Sequence, residues 1–95
     1  MASSRALQFG KHLKELRLHL CQKSPESAGA RQFIEQHYVA LKTKNPGFPI
    51  LIRECSGTEP KLYARYAFGK ESHASLNGMS SDQVLKTVEQ LAKAL

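Results

Sequence analysis

Cys21-Gln22-Lys23-Ser24-Pro25 is the stretch of this chain with the most evident chemistry. It follows the alternating run Leu16-Arg17-Leu18-His19-Leu20 and precedes a helical pattern, so a thiol stands where a strand ends and a helix begins. A nearby helix N-terminus and Lys23 both favour the thiolate. A dithiol oxidoreductase needs a second cysteine three residues on, to attack the mixed disulfide made by the first. Ser24 occupies that position and its hydroxyl cannot do so. The pattern offers a thiol in the right place and withholds its resolving partner.

The other cysteine, Cys55, follows a second apolar run, Phe48-Pro49-Ile50-Leu51-Ile52. If the two strands are parallel neighbours, roughly 4.8 Å apart, the thiols approach bonding distance. A disulfide is then allowed by geometry, and the potential of the compartment decides whether it forms. Cys21 and Cys55 are therefore the redox candidates. Two cysteines are too few for a tetrahedral zinc site or an iron–sulfur cluster. His12, His19, His37 and His73 show no metal-ligand spacing. No acid–base constellation, metal or cofactor is expected.

The chain of 95 residues has room for one small domain. Its formal charge of +6 and pI of about 9.6 admit three readings: a nucleic-acid binder, a protein that docks on an acidic surface, or a small protein of the mitochondrial matrix. Met1 to Lys14 carries Arg5, Lys11, His12 and Lys14 with two serines and no acid, in the manner of a weak mitochondrial address. There is no secretory pattern, and the longest apolar run is far too short to span a bilayer.

Residues 1–12 are expected to form a mobile arm and 13–95 a single domain. Alternation predicts strands at Lys14 to Cys21, Phe48 to Glu54, Lys61 to Phe68 and Glu71 to Leu76. Ser24 as cap and Pro25 at the first position open a helix to about Lys44, with Ala30, Phe33, Ile34, His37 and Leu41 along one face. Ser80 or Ser81 caps a last helix with a stripe of Val84, Leu85, Val88, Leu91 and Leu95. The order is β-α-β-β-β-α. The first two strands should be parallel through a crossover, and Gly69-Lys70 should turn the last two into a hairpin. With strand 3 antiparallel beside strand 1, the fold class is α/β and thioredoxin-like: a four-stranded mixed sheet of order 2-1-3-4. Pro60 stands where such folds place a cis-proline beside the thiol.

Strands 1 and 3 are apolar on one side only, and the link between strands 2 and 3 is too short for a helix. Both helices should therefore cover one face. The bare face would show Arg17, His19, Leu51, Arg53, Tyr63 and Arg65. By alternation Cys21 falls on the side of Arg17 and His19, and Cys55 on that of Leu51 and Arg53. Arginine and tyrosine are favoured at protein interfaces, so Arg17, His19, Arg53, Tyr63 and Arg65 are the docking candidates.

Leu16 to Pro25, Asn45-Pro46, Pro49 to Ser56 and Pro60 to Tyr66 together resemble the small thioredoxin-fold accessory subunits of mitochondrial respiratory complex I. The likeness extends from Leu13 to Leu95, and the block around Arg53-Glu54-Cys55 is its most specific part. The resemblance implies a non-catalytic subunit on the matrix side of the inner membrane. It implies contact with other complex I subunits, above all the large iron–sulfur subunit of the peripheral arm, and no flavin, cluster or quinone site of its own. The family's two cysteines, which can form a disulfide, match Cys21 and Cys55. Its superfamily includes mitochondrial ribosomal proteins, so binding to ribosomal RNA is the main alternative. The chain lacks the extended basic tails expected of one, and no direct nucleic-acid contact is expected. A monothiol redox protein is the third reading.

Overall fold

Alternating apolar residues build the sheet, and the computed structural model describes Phe9 and residues 12–93. The strands are β1 (Leu13–Leu20), β2 (Ile50–Glu54), β3 (Lys61–Tyr66) and β4 (Glu71–Ser75). They form one sheet of order β2-β1-β3-β4, in which β1 runs parallel to β2 and antiparallel to β3, and β4 is antiparallel to β3. Architecture, order and strand directions are those expected from the alternation. β1 is central and β2 is an edge. Pro49, which lacks an N–H, precedes that edge strand and uses only its carbonyl, accepting from Leu16 N–H at 3.1 Å.

Ser24 caps a 3-10 turn at Pro25–Ser27 by accepting Glu26 N–H at 3.2 Å, and Pro25 takes the first helical position. The chain continues as α1 (Ala28–Phe33), passes through a π-helical segment (Ile34–Tyr38) and resumes as α2 (Val39–Lys44). The sequence suggested one uninterrupted helix. The wider π turns let Phe33 and Tyr38, five apart, both reach the core side. α3 (Ser81–Lys93) is opened by a capping box: Ser80 Oγ accepts Gln83 N–H at 3.2 Å, and Gln83 Oε1 accepts Ser80 N–H at 2.9 Å.

Both helical layers lie on one face. Leu16, Ile50 and Leu62 of the sheet meet Phe33 and Leu41 of the first layer and Val88 of α3 around a shared interior space. Leu16, Leu20, Leu41, Leu76, Val84 and Val88 are fully enclosed. Each such side chain is worth about 1.5–3 kcal/mol of burial.

The structure departs from the sequence reading at two further places. Phe68 does not continue the apolar side of β3: the strand ends at Tyr66, and Phe68 is 99% exposed in the following turn. Cys21 is not on the bare face, because β1 ends at Leu20 and the thiol is buried at 5% exposure. Pro60, whose isomer the sequence leaves open, is trans, as no cis bond occurs among the described residues. Of residues 1–12, whose mobility lies mostly outside the described residues, Phe9 and His12 are seen. Phe9 packs its ring 4.7 Å from that of Phe48 and donates its N–H to Asn45 Oδ1 at 3.0 Å. His12 Nε2 lies 3.0 Å from Ala92 O. Leu95 of the α3 stripe falls outside the described residues.

Candidate interaction face and thiol pair

Register arranges the face without helices into rows. At one end, Arg53, His19, Lys61 and Ser75 lie side by side across the four strands. Leu51, Arg17, Tyr63 and His73 form the middle row, and Glu15, Arg65 and Glu71 the far one. All five docking candidates therefore share this face, because residues of one parity on paired strands point the same way.

The rows differ in electrostatics. Arg17 pairs with Glu15 at 3.7 Å and Glu71 at 3.4 Å, and Arg65 with Glu15 at 3.7 Å. The guanidinium of Arg17 also stands 5.5 Å from the centre of the Tyr63 ring. These pairs are surface ones and contribute at most about 1 kcal/mol each. Among the described residues no carboxylate pairs with Arg53 or Lys61. Between those two cations His19 packs against Tyr63, ring centres 4.9 Å apart. Its pKa is lowered, first by burial and then by the charges of Arg17, Arg53 and Lys61. The row thus presents two free cations flanking a neutral imidazole, an arrangement suited to carboxylates.

The thiols lie past the ends of the two parallel strands. Leu20 and Glu54 are the last register pair, and Cys55 N–H donates to Leu20 O at 3.0 Å, so Cys21 and Cys55 follow one step further on each strand. Both are free thiols, Cys21 buried and Cys55 exposed. The turn after Cys55 covers Cys21: Gly57 N–H reaches its Sγ at 3.4 Å. Ser27 Oγ accepts Cys21 N–H at 3.0 Å, and Arg31 Nη1 donates to the carbonyls of Cys21 and Ser24, both at 2.9 Å. The pKa of Cys21 is lowered chiefly by backbone N–H groups of Lys23, Gly57 and Ser24, with a smaller effect of Arg31. Burial opposes them. The Ser24 hydroxyl donates to the Glu26 carboxylate while capping the helix. The cleft beside Cys21, lined by Gln22, Lys23, Glu54 and Ser56, has about 230 Å³, below the usual range of ligand sites. Among the described residues no group of three His, Cys, Asp or Glu could hold a metal ion.

Ser27, Gly57, Arg31 and Lys61 were not apparent as site residues in the sequence. Arg31 carried no distinct signal, since it lies beyond the first turn of the helical run, where the helix dipole no longer singles out a cation. Lys61 required the register, which composition does not give.

Residues 30–81 match the mitochondrial ribosomal protein L51 / S25 / CI-B8 domain, and the chain belongs to that family. Within it, the chain is 54% identical over 88 residues to the Mus musculus protein NADH dehydrogenase (ubiquinone) 1 alpha subcomplex subunit 2, covering 93% of this chain and 89% of that one. It is 51% identical over 86 residues to the Arabidopsis thaliana protein of the same name, covering 90% and 89%. The large ribosomal subunit protein mL43 of Mus musculus is 27% identical over 85 residues, which cover 90% of this chain and 46% of that protein.

Proposed function

We propose that this chain is a non-catalytic accessory subunit of mitochondrial NADH:ubiquinone oxidoreductase. It sits peripherally on the matrix side of the inner membrane and supports assembly or stability of the peripheral arm. The observation that carries this reading is 54% identity to the mouse NADH dehydrogenase subunit along nearly the whole of both chains, against 27% to a ribosomal protein matched over less than half its length. Among the described residues no helix is long and apolar enough to cross a membrane.

Docking uses the bare sheet face. Arg17, His19, Arg53, Tyr63 and Arg65 meet the large iron–sulfur subunit, with the unpaired Arg53 at the centre of the electrostatic contribution. Cys21 and Cys55 form a thiol–disulfide switch on the same domain. In that step the two thiols lose two electrons and two protons to a disulfide oxidant such as oxidised glutathione, which leaves as two thiols.

The test is co-migration on a native gradient with the NADH-oxidising complex rather than with ribosomes. Arg53→Ala should reduce incorporation at unchanged melting temperature, since its side chain points away from the core. Truncation of a desolvated interface arginine costs about 2–5 kcal/mol. Cys21→Ser should leave NADH oxidation intact. Normal assembly of Arg53→Ala together with lost NADH oxidation in Cys21→Ser would reverse the roles argued here. Co-migration with ribosomes would favour the ribosomal reading of the same basic face.

A further inference from the structure

The turn between β3 and β4 holds Phe68 at φ 64, ψ 25, and Gly69 follows at φ 75. Two consecutive left-handed residues make the turn that Asn-Gly adopts most readily, because most side chains are disfavoured at positive φ. The chain places phenylalanine there and leaves its ring 99% exposed. Backbone preference and hydrophobicity both argue against this residue at this place, and neither is offset by a contact within the domain. A residue strained and exposed in this way points to a function outside the domain.

The base of the turn is held firmly. Tyr66 N–H donates to Lys70 O at 2.7 Å, Ala67 N–H to His12 O at 2.8 Å, and the Tyr66 hydroxyl to Leu91 O at 2.5 Å. The ring is thus presented from a fixed platform, which limits the ordering lost on binding. Lys14, Glu15 and Arg65 line, with Phe68, a surface hollow of about 630 Å³, and the exposed Lys70 follows Gly69. The acids nearby, Glu15 and Glu71, are engaged by Arg17 and Arg65. The tip is therefore an aromatic knob flanked by Lys14 and Lys70, neither of which pairs with a carboxylate among the described residues.

We infer that Phe68 is a preformed anchor that inserts into an apolar pocket bordered by carboxylates on a partner protein. It lies at the end of β3 remote from Lys61 and so acts independently of the Arg53 row. A single ring offers too little apolar surface to hold a membrane, which favours a protein pocket.

The inference rests on the proposed assembly role only for its readout. Tagged wild type and Phe68→Asn compete for incorporation in the same cells, scored in whichever particle wild type enters on a native gradient. Asn tolerates positive φ, so Phe68→Asn should melt no lower than wild type while incorporating about thirty-fold less, as expected for an aromatic hot spot. Phe68→Leu keeps the backbone and part of the apolar surface and should fall between. Equal incorporation of Phe68→Asn, or a melting point several degrees below wild type, overturns the anchor. So does sedimentation with phosphatidylserine vesicles that Phe68→Asn abolishes, which would assign the ring to lipid. Wild type in a ribosome sinks the proposed function but leaves the comparison of variants valid there. Wild type in neither particle overturns both.

Discussion

Gly29→Ala should unfold this domain at a much lower temperature, by an amount that follows from where a Cβ would go. Gly29 is buried in α1 against the segment that leads into α3. A Cβ there would lie 1.6 Å from Met79 O and 2.7 Å from Met79 C. Both are backbone atoms, so no side chain can rotate aside. Their segment is also pinned: Leu76 N–H donates to Pro60 O at 2.8 Å, Gly78 N–H to Glu26 O at 3.2 Å and Met79 N–H to Leu76 O at 3.1 Å. Relief requires separating α1 from the 76–80 turn. Overpacking costs typically about 1–3 kcal/mol and more when backbone must move, while alanine returns up to about 1 kcal/mol of helix propensity. A net loss near 3 kcal/mol in a domain of this size lowers Tm by about 12–24 °C. Gly47→Ala is the control, with nothing within 4 Å of its Cβ, and should melt at or slightly above wild type. Circular-dichroism melts of the three proteins decide. A Gly29→Ala protein within about 4 °C of wild type would show that the 76–80 turn yields freely, and the close packing argued here would be wrong.

Two further outcomes follow from the site. Native alkylation should label the exposed Cys55 well before the buried Cys21, although backbone N–H groups favour the Cys21 thiolate, because access limits the reaction; equal labelling rates read by mass spectrometry would refute this. Stability should decline as pH falls from 7 through and below about 6.5, because the unfolded chain takes up a proton at His19 that the folded row resists, and the decline should be shallower in His19→Gln; identical slopes in pH-dependent denaturation would refute this.

The sheet was legible because β1 and β3 alternate so cleanly. Leu16, Leu18 and Leu20 against Arg17 and His19 fix one face of the central strand, and a register slip would bury a guanidinium and an imidazole. That single constraint placed the helices and therefore the bare face. Its limits were local. Nothing in Ile34–Tyr38 departs from helical periodicity strongly enough to reveal a π segment, which is selected by how Phe33 and Tyr38 fit together in the core. Alternation also carried Phe68 one step too far, because strand parity does not say where a strand stops. The burial of Cys21 depended on the Ser56–Gly57 turn folding back over it, a contact across 36 residues that no local pattern encodes.

That long-range contact also couples the two thiols. Beside the N–H of Lys23, that of Gly57, two residues beyond Cys55, helps to stabilise the Cys21 thiolate, so the turn that follows one cysteine shields the other. While the turn is in place, the pKa of Cys21 is lowered, and its burial keeps bulky electrophiles away. When the turn moves, Cys21 gains access and loses one of the hydrogen bonds that lowers its pKa. Reactivity toward outside molecules is therefore opposed by the same movement that permits it. Ser24 does not relieve this, since its oxygen already caps the helix and faces Glu26. Cys55 is differently placed: it is exposed at the start of the turn, one residue past the last register pair of the parallel ladder. The turn that follows the exposed Cys55 thus screens the buried Cys21 from outside substrates.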